Sequence, residues 1–568
     1  MNIIGFVEDY FKSLQISATK IYLIAANIIL VIFAIWFSNV GLLPFKNVGD
    51  FAFFALLALI LALYRPGWTF AFFIGTLALE NINLIPDSFG ISLRPYQFFG
   101  FITILSLLIR FFSRRLNFSF PKFGWQDILV LLFALGGFLS AIGALDKGMS
   151  FKQSIVALSF VALYFLARIY IQSFGDLKRV APFFLSSGII VLIYGIWQNI
   201  RFLDGNNPFE VMPGRPNATF TEPDWFGIYL VFVLSVLYAI LYFFNKEKSK
   251  VVLSIHNSQF TIFNQFFNFQ ILKKIIAYVL ILVVYVALII TVSRSAWIGA
   301  IFVTLVYLKF VLLEGYGEFN GKSESKWQRY ISTLKVNRWQ WKKAGIQLFF
   351  LAVVLGASLL ISAPLTRFEI ADRAVSTGGL QKITIACPKE DMSKVPVRIQ
   401  NLSDVREYGC WQINLEEIDK YRNSGISVGE VYRPDPNVNI RAEIYKKSWE
   451  QIKSNPVFGL GWGGISSILG NDERGAGLNA SNIFLEIWLG SGLLGFLSLV
   501  MLLVYIMLSV ILAFLKNSFA GEKGITLVFL ALAWIAIVIP NLFNSGIFLG
   551  FVWAYLGVSV SLLAKKQE

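Results

Sequence analysis

The 568-residue sequence contains little histidine, cysteine or charge, and each shortage excludes a class of protein. One histidine and two cysteines leave too few ligands for a transition-metal site. There is no G-x-x-x-x-G-K-[ST] loop for ATP and no D-x-D motif for the usual nucleotide-sugar metal site. Charged residues make up 15% of the chain and hydrophobic residues 56%, which excludes an ordinary soluble protein. We therefore expect neither a cofactor nor a bound metal.

Apolar runs of roughly 17–25 residues, long enough to cross a bilayer, take up much of the chain instead. The apolar windows lie near 21–37, 51–64, 68–80, 97–112, 127–145, 151–171, 181–198, 226–244, 275–292, 296–313, 346–363, 490–515, 525–540 and 547–564. They predict an all-α polytopic membrane protein with about fourteen transmembrane helices. The polar segment 364–481 is too long for a connector, so we divide the chain into an N-terminal bundle (1–363), a loop domain (364–481) and C-terminal helices (482–568).

Basic residues cluster in short loops on one side of this predicted bundle. The net charge of +15 suggests a nucleic-acid partner, but the large polar segment 364–481 has fifteen basic and fifteen acidic residues and is neutral. The stretch 110–122, in contrast, has four basic residues and no acid. Alternating spans put the basic loops on the cytoplasmic face, both termini with them, and the loop domain outside. We expect a bilayer as partner and no nucleic acid.

The loop domain contains both cysteines, Cys387 and Cys410. A pair confined to one external segment predicts a disulfide, with two unpaired thiols as the alternative. "QKITIAC" (381–387) and "VPVRI" (395–399) are β-prone. Residues 439–456 have the spacing of an amphipathic helix, with Ile440, Ile444 and Ile452 predicted to share roughly one side.

Four arginines, Arg94, Arg215, Arg294 and Arg441, are placed where loops or helix ends meet the outer side. Guanidinium binds phosphate oxygens bidentately, so several arginines around one cavity suit a pyrophosphate. Arg294 interrupts a tight hairpin between two apolar spans, where a buried charge is costly. The alternative is that each arginine reaches lipid headgroups or balances an acid, and this is favoured for Arg94 and Arg215 taken alone.

Three acids near these arginines are candidates for a general base: Glu222, Asp224 and Glu486. The first two could equally pair with Arg215 or cap the following helix. Ser481 and Asn482, just before the first of the C-terminal spans, suit a helix N-cap and, with Arg94 and Arg215, are candidates for binding the substrate.

An ordered set of motifs resembles the O-antigen ligase and O-antigen polymerase family. The motifs are "RPNATFTEPDWFGIYL" (215–230), "SRSAWIG" (293–299), "IRAEIYKKSWEQIKSNPVFGLGWG" (440–463) and "SNIFLEIWLGSGLLG" (481–495). The resemblance covers roughly residues 90–565 and is much weaker over 365–435, which looks like an insertion.

The resemblance implies a metal-independent glycosyltransferase on the outer face of the bacterial cytoplasmic membrane. Such enzymes take glycan from an undecaprenyl-diphosphate carrier and pass it to a glycan or lipid acceptor. The family's diphosphate-binding arginines correspond to Arg294 and Arg441, and less closely to Arg215. Ligases usually have a catalytic histidine before the asparagine that Asn482 matches, but Ser481 stands there.

The only histidine, His256, lies in a predicted cytoplasmic loop on the other face. The missing imidazole favours a polymerase slightly over a ligase and leaves an inactive assembly scaffold as an alternative. A lipid-linked oligosaccharide transporter is the other alternative, although internal repeats typical of transporters are lacking.

Overall fold

The computed structural model describes residues 18–115, 120–204, 215–246, 269–314, 339–366, 380–388, 392–413, 418–434, 436–470, 477–516 and 521–564. His256 lies outside these residues. The helices among them are α1 Ala18–Asn39, α2 Val48–Tyr64, α3 Pro66–Gly75, α4 Pro95–Phe112, α5 Trp125–Gly143, α6 Lys147–Tyr170, α7 Phe174–Leu203, α8 Pro223–Lys246, α9 Phe269–Ile290, α10 Arg294–Leu312, α11 Trp341–Leu365, α12 Leu402–Arg406, α13 Ile418–Asn423, α14 Pro436–Ser454, α15 Ile465–Leu469, α16 Ile483–Lys516, α17 Gly521–Asn541 and α18 Gly550–Ala564.

Each of the fourteen predicted windows coincides with one helix, but not every helix is long enough to span. Eleven helices in the described part of the chain have the length and apolar character to cross a membrane, while α2 and α18 are shorter. The 10-residue α3 is about 15 Å long, half the thickness of a bilayer core. The prediction of a polytopic, mostly helical membrane protein is confirmed, whereas the count of fourteen spans is not.

Local sequence chemistry sets where several helices begin. The side chains of Asp146 and Ser173 accept hydrogen bonds from backbone N–H groups in the first turns of α6 and α7. Pro95 is the first residue of α4, where its missing N–H costs no hydrogen bond. Arg65 and Pro66 separate α2 from α3, because proline disfavours helical backbone at the preceding residue.

The central helix of the bundle is α8, which is buried along most of its length and packs against α9, α10 and α17. Small residues bring these helices close together. A Cβ on Gly227 would lie 2.8 Å from Ala296 of α10, and one on Gly299 of α10 would lie 2.6 Å from Pro540 of α17. The N-terminal ends of α8 and α10 are thereby held side by side.

The long helix α16 is broken at Gly492, whose φ of 64° is left-handed. The Val457 carbonyl, just after α14, accepts a hydrogen bond from Leu493 N–H (3.0 Å), and Leu460 N–H donates to the Leu489 carbonyl (2.7 Å). The glycine-rich segment 459–464 thus satisfies backbone groups that the break exposes.

Residues 380–434 form a small module, here called the disulfide module, with strands β1 Leu380–Cys387, β2 Trp411–Gln412 and β3 Ser427–Pro434 in the order β2-β1-β3. Both neighbours of β1 are antiparallel to it. Cys387 and Cys410 form a disulfide with a Cα–Cα distance of 4.4 Å, beside buried Ile383, Ile385 and Val431.

The local predictions for the loop domain are confirmed in part. "QKITIAC" is a strand, but "VPVRI" makes only an isolated bridge, from Arg398 to Tyr432, and its strand prediction was wrong. Pro396 at its centre has no N–H for a ladder. The predicted amphipathic helix is α14. Ile444 and Ile452 on its apolar side are buried, whereas Ile440, near its start, is 42% exposed.

Candidate active site

Chain segments that are distant in sequence meet at one end of the bundle, here called the loop end: residues 76–94, 215–222, 291–293, 440–470, 477–482 and 541–549. Backbone N–H groups of Glu80 and Asn81 donate to the Thr219 carbonyl (3.1 and 2.7 Å). Asn544 Nδ2 donates to Ser295 Oγ (2.7 Å) across the bundle. These bonds make the loop end one connected structure.

The break between α9 and α10 provides one wall of the site. Val292 has a left-handed φ of 54°, and Ser293 is the N-cap of α10, whose first residue is Arg294. The Ser293 N–H donates to Thr291 Oγ1 (3.3 Å), which secures the turn. Arg294 is therefore held at the head of a helix, half-buried, at the loop end. A guanidinium there adds its charge to the positive end of the α10 dipole.

Arg215 and Asp224 form an ion pair against this break. Arg215 donates from Nη2 to Asp224 Oδ1 (3.0 Å) and from Nε to the Thr291 carbonyl (2.9 Å). The two side chains are 24% and 21% exposed, so the pair lies at the rim and not in the core. Asp224 also accepts a hydrogen bond from Ser293. Asp224 therefore orients Arg215, which is the alternative that the sequence left open.

Arg441, in the first turns of α14, lies within electrostatic range of the same carboxylate. Its guanidinium interacts electrostatically with Asp224 and with Tyr445, one turn further along. Burial raises the pKa of Tyr445, although the charge of Arg441 opposes this. The Tyr445 hydroxyl donates to the Ser481 carbonyl (3.2 Å). The site thus joins α8, α14 and the start of α16.

Ser481 and Asn482 are placed by backbone geometry. Ser481 has a left-handed φ of 48°, and its N–H donates to Asn479 Oδ1 (2.9 Å). Asn482 caps α16, because its Oδ1 accepts from the N–H groups of Phe484 and Leu485 (2.9 and 3.2 Å). Its Nδ2 donates to the Leu542 carbonyl (2.9 Å), which ties the cap to the loop after α17.

Glu486 and Glu222 lie at the starts of α16 and α8. Glu486 Oε2 accepts from the Ala480 N–H (2.7 Å), which draws the carboxylate back toward Ser481. Glu222 is half-buried, and its carbonyl accepts from Phe226 N–H (3.1 Å) in the first turn of α8.

Arg94 is not grouped with the other three arginines in the contacts described. Its Nε lies 2.8 Å from Glu80 Oε1, and its side chain is 18% exposed while that of Glu80 is fully buried. Tyr96 OH donates to Glu80 Oε2 (2.8 Å). Burial raises the pKa of Glu80 to about 7, although Arg94 and Tyr96 act to lower it. This arrangement gives Arg94 a structural partner.

Three residues of the loop end escaped the sequence-based prediction: Glu80, Tyr445 and Asn544. Glu80 is the single acid at the end of an apolar window, a rare placement that signals a partner. Tyr445 lies one turn after Arg441, and Asn544 lies in a polar cluster between the last two spans. The described residues contain no group of three His, Cys, Asp or Glu side chains arranged to hold a metal.

Comparison with known proteins gives one family match. Residues 277–500 match the family model described as O-antigen ligase. The matched segment begins in α9 and ends in α16, and it contains Arg294, Arg441, Ser481, Asn482 and Glu486. The segment does not reach Arg94, Arg215, Glu222 or Asp224. No curated protein matches the chain.

Proposed function

Because residues 277–500 match the family model described as O-antigen ligase, we propose that the protein is a membrane glycosyltransferase that uses an undecaprenyl-diphosphate-linked glycan as donor. It works on the outer face of the bacterial cytoplasmic membrane without a metal, and it polymerises glycan in preference to ligating it. The observation that carries this proposal is the ion pair of Arg215 and Asp224, within electrostatic range of Arg441 and beside the helix break that begins with Arg294.

The reaction transfers a glycosyl group to a hydroxyl. The acceptor oxygen forms a bond with the anomeric carbon, and the bond between that carbon and the diphosphate oxygen breaks. The electron pair leaves with undecaprenyl diphosphate, and the acceptor's proton passes to a carboxylate. Arg215, Arg294 and Arg441 bind the diphosphate and stabilise the charge that develops on it in the transition state.

The carboxylate that takes the proton is Glu486 in this proposal. Asp224 is engaged by Arg215 and Ser293 and keeps the arginine in place. Glu486 has one oxygen fixed by the Ala480 N–H, which leaves the other to accept the proton. It lies one turn from Ser481, the position at which ligases carry histidine, and so supplies a base where the imidazole is lacking. Glu222, beside Asp224, lines the acceptor side.

The orientation in the membrane follows from charge. The stretch 110–122, between α4 and α5, is basic, and it lies at the end of the bundle away from the loop end. The loop end therefore faces outward, both termini face the cytoplasm, and the loop domain (364–481) covers the site between the two helical parts (1–363 and 482–568). Polymerisation is preferred because Ser481 replaces the ligase histidine.

A reconstituted assay tests the proposal. Purified protein is mixed with undecaprenyl-diphosphate oligosaccharide, without metal or nucleotide, and products are separated by size. A ladder of lengthening lipid-linked glycan is expected. A single step that needs an added acceptor lipid would assign ligation instead, and failure to release undecaprenyl diphosphate would contradict any transferase and favour a transporter or a scaffold.

Matched variants then test the roles of individual residues. Arg441→Ala and Arg294→Lys should lose turnover while inserting and unfolding as the wild type does, whereas Arg406→Ala, at an exposed position of the disulfide module, should not. Glu486→Gln should lower the rate by about 10²–10⁴-fold if it is the base. The exposed Glu450→Gln is its control. Full activity of Glu486→Gln would transfer the role to another acid.

A further inference from the structure

A second cavity lies in the bundle, opposite the loop end. It is a slot of about 320 Å³ between α3, α7, α8, α17 and α18, and its walls are almost wholly apolar. At its mouth are Phe174, Lys178, Phe243, Phe244 and Ile525. Because α8 starts at the loop end, its residue Phe243 lies about 28 Å along the helix from Asp224.

The slot is closed on the side of the candidate active site. Phe551 packs against Tyr229 and Phe232 with ring centroids 5.4 and 5.1 Å apart. Phe184 packs against Phe232 at 5.6 Å. This layer of aromatic rings separates the slot from the loop end, so a carrier whose diphosphate lies at Arg215 and Arg441 does not enter by the mouth.

An apolar chain is the ligand that suits the interior. A slot of this size falls in the range of ligand-binding cavities, and apolar walls give water too few hydrogen-bond partners. Leaving the space empty forfeits the dispersion contacts of every wall residue. In a bilayer the available apolar filler is an acyl chain.

The mouth of the slot carries positive charge. Lys178 is the only residue with a charged side chain among those lining the slot, and its ammonium lies 5.2 Å from the ring centroid of Phe243. Arg179 and Lys20 of α1 lie close enough to interact with one another, and Lys20 also interacts with Lys178. The acid beside them is Asp176, which pairs with Arg179 (3.2 Å). Among the described residues at the mouth, the charge of Lys178, Arg179 and Lys20 exceeds that of Asp176, which favours an anionic headgroup.

We propose that this slot binds one acyl chain of an anionic phospholipid, with the lipid phosphate against Lys178, Arg179 and Lys20. The bound lipid fills the wedge between α7 and α8 and offsets the repulsion among the three cations. The site is separate from the glycan-transfer site, and its occupancy does not depend on which reaction that site performs.

The test is lipid binding to the detergent-purified full chain, measured by native mass spectrometry and thermal unfolding. Phosphatidylglycerol should remain bound with a stoichiometry of one and raise the unfolding temperature, while phosphatidylcholine with the same chains should not. Lys178→Gln should weaken phosphatidylglycerol binding by about fivefold, and Lys147→Gln, at the other end of the bundle, should not.

A second variant tests the proposal by filling the slot with a larger side chain. Ala181→Phe places a ring in the cavity and should abolish binding, whereas Ala352→Phe on the exposed face of α11 is the matched control. Equal binding of the two lipids, or binding unchanged in Lys178→Gln, would overturn the proposal. So would a thermal shift reproduced by inorganic phosphate, or displacement of the phospholipid by an isoprenyl phosphate.

Discussion

Glu80 makes the stability of the protein depend on pH in a direction opposite to that of an ordinary ion-paired acid. Its side chain is fully buried, and burial raises its pKa from 4.5 to about 7. A carboxyl whose pKa is higher in the folded than in the unfolded chain adds stability that is complete below pH 4.5 and is lost by pH 7. At 1.36 kcal/mol per pKa unit the loss is about 3 kcal/mol.

The substitution that isolates this effect is Glu80→Gln, which keeps the shape and removes the titration. The wild-type apparent unfolding temperature in detergent should fall by a few degrees between pH 5 and pH 7.5 at constant ionic strength and scan rate. The fall should be much smaller in Glu80→Gln, which should be the more stable protein at pH 7.5. Glu450→Gln, at an exposed position, is the control for loss of a carboxylate.

Two results would refute this reasoning. If the wild type and Glu80→Gln lose stability in parallel, Glu80 does not titrate in this range. If Glu80→Gln is less stable than the wild type at pH 7.5, the ionised pair with Arg94 (2.8 Å) outweighs the burial of its carboxylate.

Three further predictions concern the loop end and the disulfide module. Gly492→Ala should lower the unfolding temperature by an amount equivalent to about 1–3 kcal/mol, because φ is 64° and a methyl group would press on the Val457 carbonyl oxygen. Asn482→Ala should cost about 1–2 kcal/mol in the same assay through loss of the α16 cap. Replacing Cys387 and Cys410 by serine removes a link across 23 residues and should destabilise the module by about 3 kcal/mol, seen as faster limited proteolysis there.

Controls for these variants come from the same chain. Gly345→Ala lies in α11, where an added Cβ meets nothing within 4 Å, and it should leave the unfolding temperature unchanged. A wild-type unfolding temperature in Gly492→Ala would contradict the importance of the α16 break. Proteolysis of the serine variant at the wild-type rate would show that the module is held together without its disulfide.

The helices could be predicted from the sequence because bilayer thickness imposes a length on apolar runs. All fourteen windows fall on helices, but an apolar run does not by itself show whether its helix is long enough to cross the bilayer. The window 68–80, for example, coincides with α3, which begins at Pro66 and is only 10 residues long. Strand β3, "SVGEVYRP", escaped prediction because its position beside β1 depends on pairing across about fifty residues of chain.

Residues of the candidate site could be predicted where their position depends on local sequence. They were harder to predict where it depends on a partner that is distant in the chain. The helix break at Arg294 was visible as a charge between two apolar runs. The pair of Arg94 with Glu80 was not, since the two lie 14 residues apart on either side of a loop without regular spacing. The sequence did not show which of the candidate carboxylates orients an arginine. The fold shows that Asp224 orients Arg215.

The two ends of the disulfide module have a consequence for how much the sequence between them can vary. Leu380 pairs directly with Pro434, so the two ends of the disulfide module lie side by side. The segment between those two residues therefore starts and ends at adjacent positions. Helix α14 begins at Pro436, immediately afterwards. A short turn that joined these two ends would replace the disulfide module without moving Arg441. The module can therefore be exchanged while the position of Arg441 stays fixed.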